Sequence, residues 1–98
     1  MSFEIKLYDK KKRLHSKNGP AVIDYDGTKF WYNHGKLHRE NGPAVEYTSG
    51  LKWYYQNGIK HRLDGPALEW SEKNIKEYYF YGDRIYSDKH PLQKLFNE

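Results

Sequence analysis

The segment HRENGPAVEY, residues 38–47, occurs in nearly the same form at two other places in this chain of 98 residues. The upstream copy, HSKNGPAVIDY, begins at His15, and the downstream copy, HRLDGPALEW, begins at His61. The three histidines are spaced by 23 residues, and the Gly-Pro-Ala triplets keep the same spacing. So regular a period indicates a repeated supersecondary unit in which each copy packs against its neighbours.

Each copy has the sequence pattern of a β-hairpin. The Gly-Pro-Ala triplet begins one strand, and the dipeptides Asp26-Gly27 and Ser49-Gly50 are typical of turns. A second strand rich in Tyr and Trp follows, and the segments NHG and QNG close it. The third copy has one inserted residue, which we place in the loop SEKN, residues 71–74.

Alternation predicts which side chains share a face. In the second copy Val45 and Tyr47 point one way and Glu46 the other. In the first copy Ile23 and Asp24 interrupt this pattern, so its register is less defined.

The two ends of the chain differ from the copies between them. FEIKLY, residues 3–8, is predicted as a first strand, and YDKKKRLH as its turn into the first copy. SDKHPLQKLFNE, residues 87–98, is the one segment with helical spacing, and we expect it to cap the open end of the sheet.

We therefore predict a mainly β protein, an antiparallel meander of about three 23-residue β-hairpin repeats with a short C-terminal helix. It forms a single domain over residues 1–98. Residues 1–17 supply the N-terminal strand and a basic turn, residues 18–86 the hairpin repeats, and residues 87–98 the helix.

The residues that recur at each junction are predicted to be structural: His15, His38, His61, Gly42, Pro43, Gly65 and Pro66. An imidazole in such a column can bond a backbone group of a neighbouring turn. A shared metal ion is not expected, because equivalent residues two strands apart lie about 9.6 Å apart, whereas zinc binds nitrogens at about 2.0–2.1 Å. The alternative is an exposed stripe in which these histidines join Arg39 and Arg62.

Composition indicates a folded protein with an aromatic core. Only 37% of the residues are hydrophobic and the mean hydropathy is -1.11, but 17% are aromatic. The chain has no cysteine, no long apolar run and no signal-peptide core, so we expect a cytoplasmic protein without disulfides or membrane contact.

Positive charge is concentrated in one segment. The net charge is +4, and KKKRLHSK, residues 10–17, carries five basic residues and no acid. Either these groups keep a sheet soluble, or they attract phosphate while neighbouring rings stack on unpaired bases. The candidate residues for binding nucleic acid or another partner are Lys10, Lys11, Lys12, Arg13, Lys17, Lys29, Arg39, Lys52, Trp53, Tyr55 and Arg62.

The aromatic residues divide between two faces. Alternation predicts one face with Phe30, Tyr32, Trp53, Tyr55 and Tyr79, and an opposite face with Trp31, Tyr54 and Tyr78. A single-layer sheet of this size cannot bury both equally, so one of the two faces is a candidate partner surface.

The segment HGKLHRENGPAVEYTSGLKWYYQNGIKH, residues 34–61, resembles the MORN-type repeat. Gly35, Lys36 and His38 match the turn of that repeat, Gly50 its hairpin tip and Tyr54 its second strand. The Gly-Pro-Ala variant is similar to repeats in small proteins of bacteriophages and large DNA viruses, and in antitoxin-like bacterial proteins. The resemblance covers roughly residues 12–86 and implies a scaffold that binds other molecules.

No motif for a catalytic nucleophile or a phosphate loop is present, and we expect neither enzymatic activity nor a cofactor. The resemblance implies a phage- or bacterium-encoded, antitoxin-like inhibitor of a host toxin or defence nuclease, acting in the host cytoplasm if phage-encoded. The alternative is an RNA- or single-stranded nucleic-acid-binding protein that uses the segment from Lys10 to Lys17. A homodimer through an edge strand or an aromatic face is also open.

Overall fold

The structure, a computed structural model, describes residues 3–85. Its strands are β1 (Ile5–Lys6), β2 (Val22–Ile23), β3 (Lys29–Phe30), β4 (Tyr32–Asn33), β5 (Lys36–Leu37), β6 (Val45–Glu46), β7 (Lys52–Trp53), β8 (Tyr55–Gln56), β9 (Ile59–Lys60), β10 (Leu68–Trp70), β11 (Ile75–Phe80) and β12 (Asp83–Ile85). Within that range the one helical element is a 3₁₀ turn over Ser71–Lys73. The mainly β prediction is therefore confirmed, whereas the predicted helix over residues 87–98 lies outside the described residues.

The strands form an antiparallel meander. One sheet has the order β1-β2-β3-β6-β7-β10-β11-β12, and β4-β5 and β8-β9 form two separate hairpins. Neighbouring strands in that order are hydrogen-bonded to each other. This agrees with the antiparallel meander predicted from the sequence.

The predicted turns lie at one end of the large sheet. Asp24 and Tyr47 donate their N–H groups to the carbonyls of Thr28 and Leu51, and Gly27 and Gly50 adopt φ angles of 90° and 91° between them. The third equivalent turn is the 3₁₀ segment Ser71–Lys73, which is where the inserted residue was predicted.

A second set of turns includes the one that the resemblance implies at Gly35 and Lys36, but the hairpins that these turns close were not predicted. In each of the pairs His34-Gly35, Asn57-Gly58 and Tyr81-Gly82, both residues have positive φ, which reverses the chain in two residues. These turns join β4 to β5, β8 to β9 and β11 to β12. The segments NHG and QNG therefore form the tips of further hairpins instead of only ending a strand.

Register divides the large sheet into two faces. On the first face the side chains of Val22, Phe30, Val45, Trp53 and Leu68 follow one another across five strands. Val22, Val45 and Leu68 are buried among these rings. The neighbouring residues, which point to the other face, are Ile23, Lys29, Glu46, Lys52 and Glu69.

The alanines of the repeated triplet lie inside the sheet. Ala21, Ala44 and Ala67 are each 0% exposed. Ala44 donates to the carbonyl of Trp53 at 2.8 Å and accepts from the N–H of Trp31 at 2.7 Å, so its backbone is hydrogen-bonded on both sides. Such a position has room for a methyl group, and this explains why the triplet always ends in alanine.

Candidate partner surface

The aromatic face is the side of the sheet that carries Phe30, Tyr32, Tyr47, Trp53, Tyr55 and Tyr79. Trp53 lies at its centre, with ring centroids 6.2 Å from Tyr55 and 5.8 Å from Tyr79. The Lys60 ammonium lies 4.4 Å from the centroid of the Trp53 ring. Half-exposed aromatic rings are enriched in protein-binding surfaces, and the ammonium over the Trp53 ring adds a cation–π contact.

The tyrosine hydroxyls of this face lie close to one another. Burial raises the pKa of Tyr55, and the neighbouring Tyr47, Tyr79 and Tyr32 raise it further. The Tyr55 phenol therefore stays neutral at physiological pH and can donate or accept a hydrogen bond to a partner.

The charged face is the opposite side of the sheet, where Lys29, Glu46, Lys52, Glu69 and Lys76 form one row. Every lysine in this row lies directly opposite a glutamate of the next strand. Opposite charges in such cross-strand pairs attract each other. The lysines predicted as partner contacts, Lys29 and Lys52, are therefore exposed but have acidic neighbours, and the row has little net charge.

Arg39 and Arg62 are held inside the charged face. The guanidinium carbon of Arg39 lies 3.9 Å from the centroid of the Trp31 ring, and that of Arg62 lies 4.0 Å from the centroid of the Tyr54 ring. In both cases Nη1 donates to the carbonyl of the proline four residues later, at 3.1 Å. Arg39 also donates to Glu46. These arginines cover the rings of the face instead of extending into solvent.

The repeated glycine makes room for the arginine. A Cβ added to Gly42 would lie 2.9 Å from the guanidinium carbon of Arg39, and one added to Gly65 would lie 3.0 Å from that of Arg62. Gly19, the equivalent in the first copy, has no atom within 4 Å of this point, because Ser16 occupies the arginine position there.

Gly42→Ala is therefore expected to lower the free energy of unfolding by about 1 kcal/mol, since the guanidinium must leave the Trp31 ring and the carbonyl of Pro43. Gly19→Ala is the matched control and is expected to be neutral. Urea denaturation measures both. In an Arg39→Ala background the cost of Gly42→Ala should vanish; an unchanged cost there would contradict the stacking explanation.

The basic turn, residues 9–13, is organised by Asp9. Its Oδ1 accepts the N–H groups of Lys11 and Arg13 at 2.8 and 3.0 Å, and its Oδ2 accepts Nε of Arg13 at 2.8 Å. The ring of His34 lies 2.7 Å from Oδ2 and ties the turn to the β4-β5 hairpin. Arg13 is thus engaged within the turn. Lys10, Lys11, Lys12 and Lys17 are exposed and form no ion pair with any residue in the range 3–85.

The surroundings of Asp9 keep it ionised. The hydrogen bond from His34 holds the pKa of Asp9 far below its usual range, and the bonds from Arg13 and Lys11 lower it further, against the opposing effect of burial. The carboxylate therefore fixes the turn that presents the lysines over the whole physiological pH range.

The three junction histidines make the same contact. Nδ1 of His15 accepts the N–H of His34 at 3.0 Å, Nδ1 of His38 accepts that of Asn57 at 3.0 Å, and Nδ1 of His61 accepts that of Tyr81 at 2.8 Å. Each donor is the first positive-φ residue of a two-residue turn. A histidine that accepts through Nδ1 carries its proton on Nε2, so each ring supports a turn in its neutral form.

Two residues of these surfaces, Asp9 and Lys60, were not predicted from the sequence. Asp9 precedes the basic run, and a lone acid before four basic residues is a signal that predicts a turn-organising carboxylate. Lys60 has no such signal, because its place over Trp53 depends on the β8-β9 hairpin, which was not predicted. Of the predicted partner contacts, Trp53 and Tyr55 lie together on the aromatic face. Arg39 and Arg62 lie on the opposite face, where each stacks on a ring.

Within residues 3–85 no three acidic or histidine side chains are arranged to hold a metal ion. The same part of the chain contains no helix long and apolar enough to cross a membrane.

The chain matches no protein-family model, no curated protein and no solved structure.

Proposed function

We propose that the protein is a non-enzymatic binding protein that inhibits a protein partner through its aromatic face. In its sharpest form the partner is a bacterial toxin or a defence nuclease, and the protein acts in the cytoplasm as an antitoxin-like inhibitor encoded by a phage or a bacterium. The observation that carries the proposal is the group of half-exposed rings around Trp53 with Lys60 above them. Aromatic residues on a rigid sheet supply large contact area at low entropic cost.

A MORN-type repeat architecture belongs to the same proposal. Its support is the recurrence of contacts at a fixed sequence spacing, namely the histidine to turn bond and the arginine over a ring. A repeat scaffold offers an extended surface on which a partner can bind.

Charge favours a protein partner over nucleic acid. Nucleic-acid affinity depends on basic groups that are free to reach phosphates. Here Lys29 and Lys52 lie opposite glutamates, and Arg39 and Arg62 are stacked on rings. Within residues 3–85, Lys10, Lys11, Lys12 and Lys17 are exposed and form no ion pair, so RNA binding at this corner is the second candidate.

The test is a growth assay in bacteria that express single toxins or defence nucleases from a panel, with and without this chain. Rescue of growth identifies a target, and the affinity of the purified pair is then measured. Tyr55→Ala is expected to weaken that complex tenfold or more, on the order of a hot-spot contact. The matched control, Lys10→Ala with Lys11→Ala and Lys12→Ala, should leave the affinity unchanged.

The opposite pattern would favour nucleic acid. In that case the triple lysine variant would lose rescue and Tyr55→Ala would keep it, and the wild-type chain would bind a single-stranded RNA oligonucleotide with an affinity that falls steeply as salt rises. Circular dichroism of each variant shows that it has kept its fold. No rescue across the panel, together with no RNA binding, would refute both candidates.

A further inference from the structure

The first strand of the sheet has an exposed apolar side. Phe3, Ile5 and Leu7 are 70%, 46% and 45% exposed. By register Ile5 lies opposite Ile23, and Leu7 donates to the carbonyl of Ala21 as Trp31 donates to that of Ala44. Ile5 and Leu7 thus occupy the positions that Lys29 and Trp31 occupy in the next copy. At this end of the charged face, apolar side chains replace a lysine and a ring covered by an arginine.

The same strand is an edge of the sheet. In residues 3–85, β1 has β2 as its one partner strand. Because Leu7 points its N–H toward β2, alternation along the strand points the N–H and C=O groups of Glu4 and Lys6 away from the sheet. An edge with free backbone groups and exposed apolar side chains is a template for another strand.

The sequence of β1 is complementary to itself when it runs antiparallel. With Ile5 on a two-fold axis, Glu4 lies opposite Lys6 of a second copy, Lys6 lies opposite its Glu4, and Phe3 lies opposite its Leu7. A register centred on Glu4 or on Lys6 would instead place like charges opposite each other. Charge therefore favours the register centred on Ile5. In this register the outward N–H and C=O groups of Glu4 in one chain form hydrogen bonds with those of Lys6 in the other.

We propose that β1 pairs antiparallel with β1 of a second copy of this chain and joins two sheets into one across a two-fold axis at Ile5. Such an interface is isologous and closed, so association stops at a dimer. The axis is perpendicular to the sheet, so the two aromatic faces lie on the same side of the dimer. A partner with two sites would then bind both protomers and gain avidity.

Analytical ultracentrifugation over a concentration series tests the pairing with purified full-length chain. The wild type is expected to dimerise. Glu4→Lys alone and Lys6→Glu alone each create two like-charge pairs, and each is expected to weaken dimerisation about tenfold. The double variant with both changes restores the opposite charges and should dimerise as the wild type does.

Mixing the two single variants gives the sharpest result. One copy then carries two lysines and the other two glutamates, so a heterodimer is expected from two chains that dimerise poorly alone. Ile5→Asp should abolish dimerisation, whereas Ile59→Asp, at an isoleucine that is 47% exposed on β9, should leave it intact. Circular dichroism verifies the fold of each variant.

A monomeric wild type, or a dimer insensitive to the charge changes, would overturn this proposal. Neither result would contradict the proposed inhibition through the aromatic face, because that proposal is tested with other variants and another assay.

Discussion

Replacing His61 by alanine is expected to lower the free energy of unfolding by about 3 kcal/mol. The ring is 5% exposed and stacks on Tyr81 with centroids 4.0 Å apart. Its Nδ1 is the acceptor for the N–H of Tyr81, which lies in a turn at a φ of 47°. Alanine would leave a cavity beside Phe80 and remove this acceptor from a turn that depends on it.

Urea denaturation followed by far-UV circular dichroism measures this loss. His61→Asn separates the two causes, because the asparagine Oδ1 can take the position of Nδ1 while the ring volume is still lost. We expect this variant to be about 1 kcal/mol more stable than His61→Ala. Equal stabilities of the two variants would mean that packing, and not the bond to the turn, is the reason for the histidine.

Ala44→Leu is the second substitution with a large expected effect, a loss of about 2 kcal/mol. The position is 0% exposed, and its backbone is hydrogen-bonded to Trp31 on one side and to Trp53 on the other. Three added carbon atoms must displace a neighbouring side chain or open the sheet locally.

Thermal and urea denaturation of Ala44→Leu are compared with those of Thr48→Leu, which introduces the same side chain at an exposed turn position. The control is expected to stay within about 0.5 kcal/mol of the wild type. Similar losses for the two variants would show that leucine is tolerated inside the sheet as well as in the turn.

Much of the fold follows from local sequence rules. Asp26-Gly27 and Ser49-Gly50 each place glycine where a turn needs positive φ, and the structure has turns at both. The alternation of Val45 and Glu46 correctly separates the buried side of the sheet from the charged side. These features depend on residues adjacent in sequence, for which propensity and period are sufficient.

The second hairpin of each copy was not predictable in the same way. The positive φ of His34 and Asn57 is supported by His15 and His38, which lie 19 residues earlier in the chain. The role of Arg39 also depends on a distant contact, because a guanidinium is a candidate phosphate ligand until it is found on the Trp31 ring. Long-range packing of this kind determines which basic residues can contact a ligand. It cannot be predicted from composition.

The alternating row of the charged face has a consequence for how such a chain can change in length. Glu46 lies between Lys29 and Lys52, and Glu69 lies between Lys52 and Lys76. Unequal crossing-over that removes the 23 residues 46–68 leaves Lys29 beside Glu69, with each lysine still next to a glutamate. Gain of one such stretch has the same outcome. A gene for this protein can therefore shorten or lengthen by whole copies without placing like charges side by side.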